Sequence, residues 1–512
     1  MNNNFENKNK KIRDLVNCDY YNINMKNKEK YEQFYTPSNV SIYMANMFDT
    51  YEEENITILD AGSGFGILSI YLVSKLLENK TIKSISLTLY EIDNIIVKYL
   101  ESNMKKLKNI SKEMGIEFNF EIKNEDFIYS AVESIKNKKN KKYNYVITNP
   151  PYKKMNNSST HKIRLKSINI DVSNYYAAFI LLSCIMLKKN GEIVAITPRS
   201  FCNGTYFYNF RKDLLSNMYF KDIHIFDSRK AVFNTESILQ EVIIYHCKKN
   251  KIKKKQDVNI YYSNNSEFKD LDKQIIKHRD LVYGDDLIIR LPEQNEGKII
   301  IEKMMSMKYS FNELNIDVST GPIVDFRELD KNLSVKYKKN GVPIIYPENI
   351  AFGKTIWPLK KPKKYNYIIA SESNMSKLRA NGNYVLVKRI TSKEENRRII
   401  SSIYDESVSN FKFVGFDNKV NYYHIKKEGM NIELAKGLCI YLNSTFVDIY
   451  FRMISGSTQV NVRDLKNIRY PDENQLIELG LYYDAHISSQ EKIDEIIESV
   501  LFHKSIELNN EK

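Results

Sequence analysis

The sequence predicts an α/β protein: a doubly wound, mostly parallel, Rossmann-like sheet followed by a C-terminal domain of mixed α+β structure. The main observation is that strand-like apolar segments alternate with helical segments between about residues 56 and 247. Such alternation is typical of a parallel sheet covered by helices on both faces. A glycine-rich turn at 61–66 follows the first predicted strand, and the remainder, about 256–512, shows no comparable alternation.

The predicted strands are short apolar runs, and the last two are expected to close the sheet as a hairpin. In chain order they are Ile56–Leu59, Ser84–Tyr90, Phe118–Ile122, Tyr145–Thr148, Glu192–Thr197, Asp222–Phe226 and Glu241–Tyr245. The predicted helices between them include Ile67–Leu77, one that ends near Lys108, and the apolar run Tyr175–Leu187. Ligands of such sheets bind beyond the carboxyl ends of the strands, so the residues that follow each strand are the functional candidates.

Composition divides the chain into four segments. Residues 1–30 form an Asn- and Lys-rich N-terminal extension, and 31–250 form the sheet domain. The run KKNKIKKK at 248–255 is typical of a linker, so we predict the domain boundary there. Residues 256–485 then form the second domain, with helices near 431–453, and 486–512 form a C-terminal helix.

The formal net charge is +14, from 77 Lys and Arg against 63 Asp and Glu. An excess of positive charge on this scale fits a polyanionic partner such as nucleic acid. The abundance of Lys, Asn and Ile is equally explained by a compositional bias of the coding sequence. The charge alone therefore leaves both interpretations open.

The cysteines, at 18, 184, 202, 247 and 439, are scattered and form no C-x-x-C pair. This pattern favours a reducing, cytoplasmic setting and argues against a disulfide framework. The longest apolar run, Ala177–Leu187, is too short to span a membrane and predicts a buried helix. The histidines show no metal-binding spacing, so no metal site is predicted.

The turn after the first strand reads Asp60-Ala61-Gly62-Ser63-Gly64-Phe65-Gly66. Gly62 and Gly64 permit a tight turn and a close approach of ligand to backbone. Many nucleotide binders share a G-x-G turn, and an ordinary structural turn is the alternative. An acid before the glycines, Asp60, disfavours a pyrophosphate and suits a ligand with a cationic amino acid end, such as S-adenosylmethionine. Glu91, at the end of the second strand, is expected to accept both ribose hydroxyls.

The fourth strand ends in Asn149-Pro150-Pro151-Tyr152. Two prolines remove two backbone donors and stiffen the turn. The Asn149 side chain and the Pro150 carbonyl are expected to accept both N–H groups of an exocyclic amine, which frees the nitrogen lone pair to attack a methyl sulfonium. Tyr152 offers a flat face for stacking a base that has left the duplex. A rigid turn at a strand end is the alternative, and the motif alone does not separate adenine N6 from cytosine N4 or a glutamine amide.

Three blocks in the same order resemble those of the gamma-class N6-adenine DNA methyltransferases, the Eco57I-like and TaqI-like enzymes of restriction-modification systems. The first, Glu32-Gln33-Phe34-Tyr35-Thr36-Pro37, is similar to the block that closes over S-adenosylmethionine in that family. The second is Asp60–Gly66 and the third is Asn149–Tyr152. The resemblance implies that 31–250 is a catalytic methyltransferase domain and that 256–485 is a DNA target-recognition domain.

The resemblance also implies the site residues. Asp126 would accept from the amine of the cofactor's adenine, and Phe127 would pack on its ring. Phe233 would sandwich the flipped base opposite Tyr152, with Phe226 as the rival and simple core packing as the alternative. The implied catalytic residues are Asn149, Pro150, Pro151, Tyr152 and Phe233, and the implied cofactor contacts are Tyr35, Thr36, Pro37, Asp60, Ala61, Gly62, Gly64, Glu91, Ile92, Asp126, Phe127 and Asn149.

The second domain resembles target-recognition domains more loosely, at 454–465 and at 319–327. Gln and Asn pair bidentately with adenine, and Arg pairs with guanine. The plausible DNA contacts are therefore Lys388, Arg389, Gln459 and Asn461. A solvated loop or contact with phosphates is the alternative to base readout, and it carries more weight.

The sequence thus predicts an adenine-specific DNA methyltransferase that uses S-adenosylmethionine, acts on double-stranded DNA and serves a restriction-modification system with a separate cognate endonuclease. The nearest rival is a glutamine methyltransferase that acts on a release factor and shares the N-P-P-Y turn. That class is much shorter and lacks a basic C-terminal half. A catalytically silent DNA-specificity subunit is a second alternative, and a fused restriction enzyme is a third, disfavoured because no nuclease motif is evident.

Overall fold

A computed structural model describes residues 36–49, 52–226, 241–250, 256–292, 296–328, 332–392, 395–455, 458–483 and 489–502. The chain forms two compact units, Met1–Arg290 and Leu291–Lys512. The predicted boundary at 248–255 therefore falls inside the first unit.

A nine-stranded sheet forms the centre of the first unit. Its strands, in chain order, are β1 Asn55–Ala61, β2 Ser84–Tyr90, β3 Glu117–Lys123, β4 Tyr143–Thr148, β5 Leu187–Pro198, β6 Met218–Phe226, β7 Val242–Lys249, β8 Asp257–Ser263 and β9 Asp272–Lys277. In space the order is β3-β2-β1-β4-β5-β7-β6-β8-β9. Strands β1 to β5 are parallel, and β7 lies antiparallel between β5 and β6. The predicted doubly wound, mostly parallel sheet is confirmed.

The hairpin predicted at the end of the sheet is present as the antiparallel pair β6 and β7. The sheet then continues through β8, which is parallel to β6, and β9. These two strands are the reason that the first unit extends beyond the lysine-rich run at 248–255. A short hairpin, β10 Val282–Tyr283 and β11 Ile288–Ile289, ends the unit.

The helices of the first unit are α1 Ser38–Met47, α2 Ile67–Leu76, α3 Asn94–Glu113, α4 Phe127–Lys136, α5 Thr160–Lys166, α6 Tyr175–Met186, α7 Tyr208–Asn217 and α8 His278–Leu281. Helix α6 is the predicted apolar helix, and all but two of its twelve residues are buried. Two acidic residues that follow strands cap the next helices: Asp93 accepts from Ile95 N, and Asp126 accepts from Tyr129 N. These caps satisfy backbone donors and fix the start of each helix beside a strand end.

The second unit contains two five-stranded sheets and a group of helices. The sheets have the orders β13-β22-β19-β20-β16 and β14-β17-β15-β21-β18. The strands are β12 Tyr309–Ser310, β13 Asp317–Thr320, β14 Leu333–Ser334, β15 Gly341–Ile345, β16 Gly353–Lys354, β17 Tyr367–Ile369, β18 Arg379–Ala380, β19 Tyr384–Lys388, β20 Ser401–Tyr404, β21 Phe413–Phe416, β22 Val420–His424 and β23 Arg469–Tyr470. The predicted mixed α+β architecture is confirmed.

The helices of this unit are α9 Gly297–Ser306, α10 Ile432–Leu442, α11 Thr445–Ile454, α12 Val462–Lys466, α13 Glu473–Gly480 and α14 Gln490–Ile497. The helical stretch predicted near 431–453 is thus two helices, α10 and α11, because Asn443 ends the first and Ser444 caps the second. Helix α14 continues as a wider turn over Glu498–Phe502. Across the described ranges, no helix combines the length and the apolar character that crossing a bilayer requires.

Candidate functional site

A pocket of about 320 Å³ opens at the carboxyl ends of β1, β2 and β4 in the first unit. This is the edge at which parallel α/β sheets bind ligands. Nine of the predicted site residues line it: Thr36, Gly62, Gly64, Glu91, Ile92, Asp126, Phe127, Asn149 and Pro151. Residues that are more than 100 positions apart in sequence are therefore brought together as expected.

The glycine turn closes one side of the pocket through backbone contacts. The amides of Gly62 and Ser63 both donate to the carbonyl of Tyr90, at 3.1 and 2.9 Å. Gly62 and Gly64 have φ values of +77° and +54°, which L-residues with side chains rarely adopt. A Cβ on Gly64 would meet nothing within 4 Å, so the backbone there is open to the pocket. The turn thus has the conformation that a closely approaching ligand requires.

Glu91 lies at the end of β2 with its carboxylate anchored by two backbone amides. Gly64 N donates to Oε2 at 2.9 Å, and Asp93 N donates to Oε1 at 2.8 Å. Burial raises the pKa of Glu91, although these two hydrogen bonds act in the opposite direction. The carboxylate is therefore oriented before any ligand arrives, and it remains an acceptor on the pocket wall.

Asp60 does not line the pocket. Its side chain is fully buried, and Ser69 Oγ donates to its Oδ2 at 2.6 Å. Burial raises the pKa of Asp60 to about 7, and no described residue gives its Oδ1 a hydrogen bond. The predicted direct contact of Asp60 with a cofactor is therefore absent from the lining, because the side chain points into the protein's interior beside Ser69.

Asp126 and Phe127 form the opposite wall of the pocket. Asp126 pairs with His161, whose Nε2 lies 2.8 Å from Oδ2. Burial opposes ionisation, but the hydrogen bonds from His161 and Tyr129 hold the pKa of Asp126 below its usual value. The Phe127 ring lies 5.0 Å from the ring of Phe179, which gives this wall an aromatic surface.

The Asn149–Tyr152 turn follows β4 and borders the same pocket. Asn149 Nδ2 donates to Thr36 Oγ1 at 3.1 Å, so the segment that leads into α1 contacts the turn. Tyr152 is buried, and its hydroxyl donates to Asn149 Oδ1 at 2.9 Å. Pro151 lines the pocket, whereas Pro150 and Tyr152 do not. The rings of Tyr152 and Tyr176 are nearly perpendicular with centroids 6.4 Å apart, and only 7% of the Tyr152 surface is exposed.

The other predicted residues of this unit differ in position. Pro37 directly precedes α1, and Ala61 is a buried residue at the end of β1. Phe226, the rival aromatic, is buried with its ring 4.5 Å from that of His224. Tyr35 and Phe233 lie outside the described residues.

Ten residues of the pocket wall were not predicted from the sequence. Six of them belong to the glycine turn, the start of α2 or the strand ends: Ser63, Phe65, Ile67, Leu68, Tyr90 and Glu125. The other four lie further along the chain: Lys153, His161, Tyr175 and Phe179. Three of them belong to the segment 153–175, which returns to its starting point: Met155 N donates to Ser173 O, and Tyr175 N donates to Lys153 O. A single histidine without metal-binding spacing carried no signal in the sequence. Only the closure of this segment brings His161 to the pocket.

In the second unit, three of the four predicted DNA contacts lie together. Lys388 ends β19 and Arg389 follows it, with Arg389 Nη1 donating to Asn418 O at 2.9 Å and Nη2 lying 3.5 Å from Gln459 Oε1. Asn461 lies nearby in sequence, but its amide donates to Asp464 Oδ2 at 3.1 Å and so faces its own helix. The base contact predicted for Asn461 therefore competes with an intramolecular bond.

The segment 319–327, which the sequence also singled out, lies beside these residues. Asn418 N donates to Ile323 O at 2.7 Å, so the segment lies beside the turn that binds Arg389. Phe326 projects from it with 79% of its surface exposed, and the guanidinium of Arg327 lies 5.6 Å from its ring. An exposed aromatic beside cationic side chains is the composition of nucleic-acid contact surfaces.

Two lysine-rich loops, 336–339 and 360–364, are held together by one buried side chain. Asn366 Nδ2 donates to Leu359 O at 3.0 Å and lies 3.4 Å from Val335 O, and Asn366 Oδ1 accepts from Leu359 N. These lysine loops carry no acidic residue, and their exposed lysines are Lys336, Lys338, Lys339, Lys360, Lys361 and Lys363. They form a concentrated positive surface.

Comparison with protein families matches residues 69–233 to the Eco57I restriction-modification methylases. The chain is 40% identical to the type II methyltransferase M.PstI of Providencia stuartii over 481 residues, which cover 93% of each chain. It is 38% identical to the type II methyltransferase M.BsuBI of Bacillus subtilis over 94% of this chain and 95% of the relative. The type II methyltransferase M.HincII of Haemophilus influenzae is 28% identical over a shorter part, 43% of this chain and 37% of the relative. Because the first two similarities extend over nearly the whole of each protein, the chain belongs to the type II DNA methyltransferases of restriction-modification systems.

Proposed function

We propose that this methyltransferase transfers a methyl group from S-adenosylmethionine to N6 of an adenine flipped out of double-stranded DNA. The observation that carries the proposal is the Asn149–Tyr152 turn at the border of the pocket, with Asn149 and Pro151 in the pocket wall. A separate cognate endonuclease and a cytoplasmic location belong to the same proposal. The four described cysteines, which are buried thiols, fit a reducing compartment.

The residues of the pocket fit S-adenosylmethionine. Glu91 supplies an anchored carboxylate for the ribose hydroxyls, and the backbone at Gly64 leaves room for close approach. Asp126 supplies an ionised acceptor for the adenine amine beside the aromatic wall of Phe127 and Phe179. The volume, about 320 Å³, is at the lower end of the range for small-molecule sites, roughly 300–1,000 Å³. When bound, S-adenosylmethionine supplies an electrophilic methyl group on a sulfonium.

The Asn149–Tyr152 turn prepares the target amine. Asn149 Oδ1 and the Pro150 carbonyl accept its two N–H groups, which favours a tetrahedral nitrogen with a lone pair directed at the methyl group. S-adenosylmethionine would supply the methyl group to this nitrogen, and the extra proton of the methylated amine would leave to water. Tyr152 stacks on the flipped base once its hydroxyl has released Asn149. No acid or base other than solvent is required.

The second unit is proposed to recognise the DNA sequence. Arg389 and Gln459 are adjacent and present guanidinium and amide groups of the kind that read base edges. Lys388 lies beside them with an ammonium group suited to phosphates, and Asn461 becomes available only if it exchanges its bond with Asp464. Phe233 remains the candidate for the second aromatic around the flipped base.

Transfer of label tests the proposal directly. The protein is incubated with methyl-labelled S-adenosylmethionine and mixed-sequence duplex DNA, and the DNA is then digested to nucleosides. We expect label in N6-methyl-2′-deoxyadenosine alone, and label in N4-methyl-2′-deoxycytidine or in protein glutamine would contradict the adenine assignment. Asn149→Ala should reduce transfer by more than about 100-fold, because it removes one of two acceptors that act in the transition state.

The matched measurement for Asn149→Ala is cofactor affinity. Asn149 borders the pocket through an amide that already bonds to Thr36, so its loss should change the affinity for S-adenosylmethionine only a few-fold. A loss of cofactor binding that equals the loss of transfer would mean that Asn149 holds the cofactor and not the target amine. No transfer by the unmodified protein would favour the catalytically silent alternative.

A further inference from the structure

Asp126 is held at two points, and only one of them is on its own helix. Tyr129 N, in the first turn of α4, donates to Oδ1 at 3.1 Å. His161, which lies on α5, approaches Oδ2 with its Nε2 at 2.8 Å. An ionised carboxylate only accepts hydrogen bonds, so Nε2 carries the proton and donates it. The carboxylate is thereby fixed about its last torsion, which a single helix-capping bond would leave free to rotate.

His161 is itself restrained on two further sides. Its ring stacks on Tyr129 with centroids 4.6 Å apart and an angle of 10° between the planes. Its Nδ1 lies 3.2 Å from the hydroxyl of Tyr175, within hydrogen-bond distance. The ring is therefore located by a stack and two hydrogen bonds, and only 18% of the side chain is exposed.

The segment 153–175, which contains His161, has its two ends paired with each other. Lys154 and Asn174 form an antiparallel bridge, flanked by the two backbone hydrogen bonds between 153–155 and 173–175. This closed segment begins directly after the Asn149–Tyr152 turn. The contact of His161 with Asp126 thus ties the segment that leaves the catalytic turn to the wall that faces the cofactor.

We propose that His161 is a positioning residue for the cofactor's adenine: by donating to Asp126, it holds that carboxylate as an acceptor for the 6-amino group and so makes the pocket select 6-aminopurine over 6-oxopurine. The proposal rests on the proposed function, because it assumes that S-adenosylmethionine binds here with its adenine beside Asp126. Both residues line the pocket, and each carboxylate oxygen retains a lone pair after its intramolecular bond.

The selectivity follows from the polarity of the acceptor. A 6-amino group donates to the fixed carboxylate, whereas a 6-oxo group presents a second acceptor to it and is repelled. If the carboxylate rotates freely, the penalty falls, because it can turn its lone pairs away from the 6-oxo group. Loss of His161 should therefore reduce discrimination between the two purines more than it reduces affinity for both together.

The test compares S-adenosylhomocysteine with S-inosylhomocysteine, in which a 6-oxo group replaces the 6-amino group and N1 carries a proton, by equilibrium binding to the full-length protein. His161→Phe keeps an aromatic ring that stacks on Tyr129 but removes both hydrogen bonds. His161→Gln restores an N–H donor towards Asp126. Tyr129→Phe is the matched control, because it keeps the stacked ring and alters only a hydroxyl bonded to Thr160. The unfolding temperature of each variant shows whether it is folded.

We expect the wild-type protein and Tyr129→Phe to share one preference for S-adenosylhomocysteine. His161→Phe should reduce that preference by about tenfold, the worth of one hydrogen bond to a charged group, and His161→Gln should recover part of it. Unchanged discrimination in folded His161→Phe, or an equal loss of affinity for both ligands, would overturn the proposal. Failure of the wild-type protein to bind S-adenosylhomocysteine would instead contradict the proposed cofactor.

Discussion

The hydroxyl of Tyr152 donates to Asn149 Oδ1 at 2.9 Å, and a second acceptor, the carbonyl of Ile196, lies 3.4 Å from the same hydroxyl. In this arrangement Tyr152 occupies the oxygen that the proposed mechanism assigns to the target amine. The Ile196 carbonyl offers the hydroxyl an alternative partner, so Asn149 can be released without leaving a buried hydroxyl unpaired. Tyr152 therefore takes one of the two lone pairs of Asn149 Oδ1, and it can release that lone pair to the target amine.

Replacing Tyr152 by Phe is expected to preserve methyl transfer. The substitution removes the competing hydroxyl and keeps an aromatic face, so kcat should stay within about threefold of wild type and KM for DNA should not rise. Tyr152→Ala removes the face as well, and stacking of a base is worth about 1–3 kcal/mol. Steady-state assays at saturating cofactor separate the two variants. Equal losses in both would mean that the hydroxyl itself is needed.

The buried Asp60 predicts a pH-dependent stability. Burial raises its pKa to about 7 from an ordinary 3.8, so between these values the folded protein holds a proton that the unfolded chain has lost. Stability from this group is therefore greatest below pH 3.8, falls as the pH rises to about 7, and is then constant. Asp60→Asn cannot ionise and so avoids this loss. The difference in free energy of unfolding, variant minus wild type, should therefore increase between pH 4 and pH 8.

The size of that gain is about 1–4 kcal/mol, since each unit of pKa shift corresponds to about 1.4 kcal/mol. Chemical denaturation at several pH values measures it. Ser69→Ala is an informative companion, because it removes the bond that lowers the pKa of Asp60 and should extend the fall in stability to higher pH. If the free energy of unfolding depended on pH in the same way for Asp60→Asn and the wild type, burial would not raise the pKa of Asp60.

Prediction from sequence succeeded where the signal is local. Glu91, Asp126 and Asn149 follow β2, β3 and β4, as the sequence indicates, and all three line the pocket. The direction of a side chain could not be predicted from the sequence. Asp60 precedes the glycines as expected, but its side chain points inward to Ser69. A motif fixes which residue stands at a strand end, whereas its neighbours in space decide where the side chain points.

The parts that were missed depend on contacts distant in sequence. Strand β8 has Asp and Asn on its less buried side, and three of the six residues of β9 are exposed. Such polar segments do not show the apolar pattern that predicts a strand of a buried sheet. Only pairing with β6 makes them part of the sheet, which is why the predicted boundary fell too early. His161 reached the pocket through closure of 153–175, a loop whose interior has no hydrophobic period.

A close helix crossing in the second unit predicts a sensitive glycine. A Cβ on Gly437 of α10 would lie 1.6 Å from the carbonyl oxygen of Leu476, in α13, so the two backbones touch. Gly437→Ala must separate the helices, and we expect a loss of about 1–3 kcal/mol or more in the free energy of unfolding. Asn474→Ala, at an exposed position of α13, should change it by less than about 0.5 kcal/mol. Similar changes in the free energy of unfolding for Gly437→Ala and Asn474→Ala would contradict a close contact between α10 and α13 at Gly437.

The lysine loops predict a specific salt dependence of DNA binding. Each phosphate contact made by a lysine contributes about 0.9 to the slope of log K against log salt, because one counterion is released. The triple variant Lys336→Gln, Lys338→Gln, Lys339→Gln should therefore lower the slope by up to about three and weaken binding equally for specific and non-specific duplexes. Cofactor affinity should not change, since these residues are remote in sequence from the pocket and none lines it.

A matched control distinguishes these loops from charge in general. Lys106, Lys108 and Lys112 are also exposed, but they lie on α3 together with the acidic residues Glu101 and Glu113, which lower the net positive charge of that helix. Changing all three to Gln lowers the net charge of the protein by the same amount, yet it should leave the salt slope within about one of the wild-type value. Equal slopes for the two triple variants would mean that only the total charge matters. A reduced slope confined to the loop variant would identify 336–339 as phosphate contacts.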